Sequence, residues 1–138
     1  MAARKRVSTS RSRKKSKLSD RSFLVVDDDS AFTEVVRAWA KRRGARATVV
    51  RDGREALQQL EAEAYDALIV DLKMPGMDGY ELHLRLAVER PELLRRTVFV
   101  TGDRSNPEAQ AFLAQSRAPC LEKPFEMDDL EEAVRGIL

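Results

Sequence analysis

One cysteine and one histidine in 138 residues set the first limits on this chain. A single Cys excludes an internal disulfide framework and a Cys-based metal centre, and it points to a reducing, cytoplasmic compartment. A lone His equally excludes a His-rich metal site. No apolar stretch is long enough to span a bilayer. Acid is missing from residues 1–17, which carry eight Lys or Arg. Removing those eight from the chain's 25 bases leaves 17 against 23 acids, a net of −6, so the overall charge of +2 hides a basic end on an acidic body. The basic end has almost no large apolar residue and lacks the apolar centre of a secretory signal. Residues 1–20 therefore read as a disordered tail and 21–138 as one domain of ordinary size. Charge alone would let the tail hold nucleic-acid phosphates, an anionic membrane surface or an acidic partner. It has no aromatic residue to stack on bases. A solvated linker with no partner is the plainer alternative.

What the domain does have is a set of short apolar runs that end on charge. Phe23-Leu24-Val25-Val26 runs into Asp27-Asp28-Asp29, Ala67-Leu68-Ile69-Val70 into Asp71, and Cys120-Leu121 leads through Glu122 to Lys123-Pro124-Phe125. Continuous rather than alternating apolar runs suit strands covered on both faces, as in a parallel sheet. Ligands of such sheets sit in the crevice outside the carboxyl ends of the strands, so these charges should converge.

Between the runs the spacing predicts helices. Ser30 can cap a helix to about Arg43, with Phe32, Val35, Val36 and Trp39 on one face and Gly44 as its left-handed stop. Ala47–Val50 is a second strand, and Arg54–Glu63 a helix with Ala56, Leu57 and Leu60 inward. Lys73-Met74-Pro75-Gly76-Met77 is a tight loop, and Asp78-Gly79 opens a helix carrying Tyr80, Leu82 and Leu86. Thr97–Val100 is the fourth strand, Pro107 to about Gln115 a weakly amphipathic helix, Cys120–Glu122 the fifth strand, and Met127 to Ile137 the last helix. Alternating strands and helices at this spacing imply right-handed crossovers and a doubly wound α/β sheet.

Asp28 and Asp71 centre the chemistry. A hard divalent cation such as Mg²⁺ takes oxygen ligands and keeps several waters, and two carboxylates from neighbouring strand ends suit it. The joint pattern comprises the acidic pair, Asp71 followed by Met74-Pro75-Gly76 and Asp78-Gly79, then Thr101-Gly102 and Lys123-Pro124-Phe125, with intervals of 43 residues from Asp28 to Asp71, 30 to Thr101 and 22 to Lys123. In this pattern the chain resembles the receiver domain of two-component response regulators, over nearly its whole folded length. The stretch Ala118–Phe125 looks more like receivers attached to hybrid histidine kinases.

The resemblance implies a five-stranded parallel sheet of order 2-1-3-4-5 with five flanking helices. It implies Asp71 as phosphoacceptor, Asp28 as direct Mg²⁺ ligand, Asp27 acting through water and the Lys73 carbonyl as third ligand. Lys123 would hold the phosphoryl oxygens, its bond to Pro124 commonly cis, and Thr101 would hydrogen-bond the new group and move toward it. The donor would be a histidine kinase or phosphotransfer protein. Output would pass to a downstream protein, with homodimerisation on the same face an option, and catalysis would be confined to the domain's own phosphorylation and dephosphorylation. Family members usually place an aromatic where Cys120 stands, so half of the usual switch is absent; Cys120 reads as a small buried residue. Lys73 and Asp103 are expected to pair across the mouth and slow hydrolysis. His83 reads as a surface histidine.

Three other functions compete. The chain could act as a phosphate sink or relay from a hybrid kinase, or as a phosphorylation-independent adaptor working through its tail. It could also be a Mg²⁺-dependent phosphohydrolase with Asp27 as nucleophile, since Asp27-x-Asp29 after an apolar strand resembles the haloacid-dehalogenase motif. That last reading leaves the Asp71 loop without a role.

Overall fold

The computed structural model describes residues 18–138, so the predicted tail, residues 1–17, lies outside the described residues. Five parallel strands form one sheet in the order β2-β1-β3-β4-β5. They are β1 (Ser22–Val26), β2 (Arg46–Val50), β3 (Ala67–Asp71), β4 (Thr97–Thr101) and β5 (Cys120–Glu122). The helices are α1 (Ser30–Arg42), α2 (Gly53–Ala62), α3 (Gly79–Glu89), α4 (Pro107–Ser116) and α5 (Met127–Ile137). This is the doubly wound architecture that the alternation of runs implies.

Strand β3 and strand β4 are buried along their whole length, which is why their sequences are apolar without alternation. Successive side chains point to opposite faces, so one strand feeds two cores. Phe23, Val25, Ile69, Val98 and Val100 pack under α1 and α5, against Val36, Trp39, Leu130 and Val134. Leu24, Val26, Leu68, Val70 and Phe99 face α2, α3 and α4, against Ala56, Leu60, Leu82, Leu86 and Ala109.

Helix starts are set by short polar side chains. Asp29, Asp52, Asp78 and Asn106 each accept a backbone N–H of the first turn, supplying partners that the helix itself lacks there. The cap of α1 is Asp29, which keeps an extended backbone while Phe32 N donates to its carboxylate. Gly44 follows α1 at φ +75°, the left-handed stop expected of it.

Two further expectations change. Leu18 is wholly buried, and Asp20 N donates to Gly44 O at 2.8 Å, so packing begins before residue 21 and the tail cannot extend to residue 20. Val35 is half exposed while Thr33 is buried, because the buried stripe of α1 is centred on Val36 and Trp39. Pro91–Arg96 forms a 3₁₀ helix before β4. Among the described residues no helix is long and apolar enough to cross a membrane.

Helix α5 is locked to α1 through one carboxylate. Trp39 Nε1 and Arg43 Nε donate to Glu131 Oε1 at 3.0 and 2.7 Å, and Arg135 Nε and Nη2 to Oε2 at 3.1 and 3.0 Å. Burial works against this charge, but the donors outweigh it and hold the carboxyl below its usual range. The stability linked to that shift is complete above the ordinary Glu range, near 4.5, and lost as pH falls through the lower folded value. Glu131→Ala is therefore expected to cost about 1–3 kcal/mol near neutrality, read as a lower urea midpoint. The gap to the parent should narrow below about pH 4; a constant gap would mean that packing, not charge, is lost.

Candidate functional site

The site lies where β1, β3, β4 and β5 end. β1 and β3 are adjacent, with Val26 opposite Val70, so Asp27 and Asp71 leave neighbouring strands side by side. Carboxylate oxygens of Asp27, Asp28 and Asp71 lie within 4.8 Å of one another; Asp27 and Asp71 are buried and Asp28 is exposed. This trio of hard oxygen donors, one open to solvent, fits a Mg²⁺-like cation that retains water.

One cation offsets the cluster. Lys123 N donates to Thr101 O at 2.8 Å, which registers the end of β5 against the end of β4. From there Lys123 Nζ donates to Asp27 Oδ2 at 2.7 Å and stands 3.7 Å from carboxylate oxygens of both Asp29 and Asp71. It also lies 4.3 Å from the centroid of the Phe32 ring, which meets Phe125 edge-on. A desolvated ammonium over an aromatic face gains further attraction. The Lys123–Pro124 peptide is cis, as the resemblance implied.

The other oxygens of Asp27 and Asp71 are held by backbone. Asp29 N donates to Asp27 Oδ1 at 2.9 Å and Lys73 N to Asp71 Oδ1 at 3.1 Å. Burial, then the neighbouring Asp27 charge, raises the Asp71 pKa to about 6, against the opposing pull of the Lys73 amide and Lys123. Gly79 makes this loop possible. A Cβ there would strike the carbonyl oxygen of Asp71 and come within 2.8 Å of Leu72 Cα, where Gly79 N donates to Leu72 O. Thr101 closes β4 beside β3, is 2% exposed, and accepts from Asp103 N through its hydroxyl at 3.2 Å.

The structure brings together Asp27, Asp28, Asp71 and Lys123, with Thr101 on the adjoining strand end. It separates Lys73 from Asp103, against expectation. Lys73 Nζ pairs with Glu108 Oε1 at 2.9 Å and stands over Tyr80, 5.6 Å from the ring centroid. The Asp103 carboxylate instead accepts from the Ser105 amide and hydroxyl, because that turn folds the side chain back on its own loop. Sequence reasoning missed Glu108, Phe32 and Asp29 as contacts of the two lysines. Glu108 lies 35 residues from Lys73, and no local spacing announces such a pair.

His83 is another correction: its ring is half buried against Phe112 and Phe99 at centroid distances of 4.8 and 6.0 Å. Burial lowers its pKa, which favours the neutral ring. Cys120 is half buried and packs against the same core as Tyr80 and Phe112. Burial pushes its thiol up to about 11, which keeps it protonated and poorly nucleophilic.

The family model that matches this chain, over residues 23–135, is that of the response regulator receiver domain. Among curated proteins, the response regulator MprA of Mycolicibacterium vanbaalenii is 33% identical over 116 residues, 84% of this chain and 49% of MprA. The chain thus spans about half the length of the curated relatives it matches. Among solved structures, the receiver domain of the Francisella response regulator 1452 superposes with a TM-score of 0.75 at 26% identity, covering 86% of this chain and 96% of that one. The receiver domain of sensor histidine kinase PA1611 from Pseudomonas aeruginosa, solved with magnesium in its active-site cleft, gives 0.74 at 26% identity, covering 86% and 97%.

The raised Asp71 pKa has a measurable consequence in metal-free protein. The folded state binds this proton more tightly than the unfolded chain does. Its stabilisation is complete below the ordinary Asp value of 3.8 and lost as pH rises through about 6. In urea titrations with a chelator, Asp71→Asn should therefore be more stable than the parent above pH 6, by about 1–3 kcal/mol, with the gap closing toward pH 4. An equal gap at pH 4 and pH 8 would show that the Asp71 charge is not under this strain.

Proposed function

This chain belongs to the response regulator receiver domain family of two-component signalling, and we propose that it accepts a phosphoryl group on Asp71 from a phosphohistidine. The observation that carries the reading is Asp71 itself: buried, at a strand end, with one oxygen on the Lys73 amide and the other 3.7 Å from the Lys123 ammonium. The donor is a sensor histidine kinase or a phosphotransfer protein. An Asp71 carboxylate oxygen attacks phosphorus, the phosphorus–nitrogen bond breaks, and the leaving histidine nitrogen keeps the electron pair.

A carboxylate attacking a phosphoryl group meets charge of its own sign, so the site must supply positive charge. Asp28, Asp71, Asp27 and the Lys73 carbonyl are the groups that would hold Mg²⁺, which would supply part of that charge when bound. Lys123 supplies the rest as a compact ammonium, already held between strand ends and free of the cost of reorganising. The Thr101 hydroxyl, whose oxygen accepts from Asp103 N, donates its own proton to the new phosphoryl oxygen. Because Thr101 O also holds Lys123 N, a shift at one strand end is passed to the next. The face formed by α4, β5 and α5 then changes for a downstream protein, for a second copy, or for onward transfer in a relay.

Intact mass spectrometry after incubation with Mg²⁺ and acetyl phosphate should show one added phosphoryl group, about 80 Da, lost in Asp71→Asn. An adduct that survives in Asp71→Asn and vanishes in Asp27→Asn would overturn the assignment in favour of the hydrolase reading. Lys123→Ala should keep the fold and label at least about tenfold more slowly, in line with loss of a charge-stabilising group at a reacting centre.

A further inference from the structure

Helix α5 turns a second, acidic face outward. Leu130 and Val134 are buried beneath it, while Asp128, Asp129 and Glu132 are exposed on the other side. Between α5 and the edge strand β5 lies an open groove of about 470 Å³. Its floor is apolar, made by Pro119, Leu121, Ala133 and Ile137, and its rim carries Asp129 and Glu132. Glu122 and Glu126, both exposed, extend the negative edge. Arg135, the basic residue of α5, is directed at Glu131 at 3.0 Å.

We propose that the basic segment of this same chain, residues 1–17, docks along this groove. Its eight Lys or Arg and no acid complement a body of net charge −6. Leu18 anchors the start of the described chain on the α5 side of the sheet. It is buried in the same core as Leu130 and Val134, the inward residues of α5, and Ile137 and Leu138 pack against that core, so the described chain begins on the layer that α5 covers. The turn after α1 is basic and would repel the segment. Asp20 hydrogen-bonds Gly44, and around that turn Lys41, Arg42 and Arg46 are exposed.

Reach is ample. From Asp129 to Ile137 the helix advances about 12 Å, and 17 extended residues span up to about 55 Å. The groove also suits the chemistry of long basic side chains, which lay aliphatic stems on apolar surface and keep their charged heads outside it. An acidic patch alone would take any cation; an apolar floor inside an acidic rim selects Lys and Arg. Docking would cover the β5–α5 part of the output face, so the segment would compete there with any partner. This inference does not depend on the phosphorylation proposed above.

Carbodiimide cross-linking of the full chain, which joins Lys ammonium to carboxylate, tests it directly. A mixture of light and ¹⁵N-labelled protein separates links within a chain from links between chains. Links from Lys14, Lys15 or Lys17 to Asp128, Asp129 or Glu132 within one chain are expected at low salt, and should fade at about 0.5 M salt. Trypsin should cut the segment about fivefold more slowly at low salt than in the double variant Asp128→Lys, Glu132→Lys. The same charge reversal at Glu61 and Glu63, exposed at the end of α2, should leave that protection intact, with circular dichroism confirming that both variants fold. Links only between light and heavy chains would assign the groove to a second copy and overturn docking within the chain. So would absence of links, links chiefly to other acids, or equal trypsin rates in all three proteins.

Discussion

The arrangement depends on a single ammonium among carboxylates. Lys123 stands within 3.7 Å of Asp27, Asp29 and Asp71, and without it a buried Asp27 and a buried Asp71 would face each other uncompensated. Like charges this close raise each other's free energy steeply where water is scarce. The fold accepts the strain because the parallel sheet brings four strand ends to one edge, and crossover connections leave that edge open. Asp27, Asp71, Thr101 and Lys123 each sit within one residue of the end of a different strand, so the site is a property of the sheet's register as much as of any loop.

That register is maintained from both sides. The α1–α5 layer is closed by Glu131, which gathers donors from Trp39, Arg43 and Arg135. The opposite layer is closed by rings: Tyr80 and His83 of α3 and Phe99 of β4 all meet Phe112 of α4 edge-on, at centroid distances of 4.8–5.2 Å. Cys120 packs against the same core. Where related receivers usually carry an aromatic on the fifth strand, aromatic bulk is here supplied from α3, α4 and β4.

Much of this was legible in the sequence, and the reasons are physical. Runs such as Ala67–Val70 announce strands buried on both faces, and the residue that ends each run announces the site. Spacing from Asp28 through Asp71 and Thr101 to Lys123 carried the family resemblance, and with it the strand order. What escaped was long-range pairing. Lys73 seemed close to Asp103 because both follow a site residue by two positions, yet Lys73 reaches α4 and Glu108. His83 looked like a surface residue because no helical periodicity shows that Phe99 and Phe112 close over it. Leu18 was assigned to the tail because a single apolar residue after a basic stretch gives no pattern, although its burial is complete.

The short fifth strand has a further consequence, for how copies of the chain can meet. β5 is three residues long and forms one edge of the sheet, with Pro119 just before it and Pro124 just after. Neither proline can donate a ladder hydrogen bond, so an incoming strand would find little backbone to pair with. The opposite edge, β2, begins on exposed Arg46 and is followed by exposed Arg51, and charge there opposes stacking of sheet on sheet. Growth by strand addition, the route to fibrils and swapped assemblies, is thereby discouraged at both edges. Association is left to side chains on the helices, where it can be reversible.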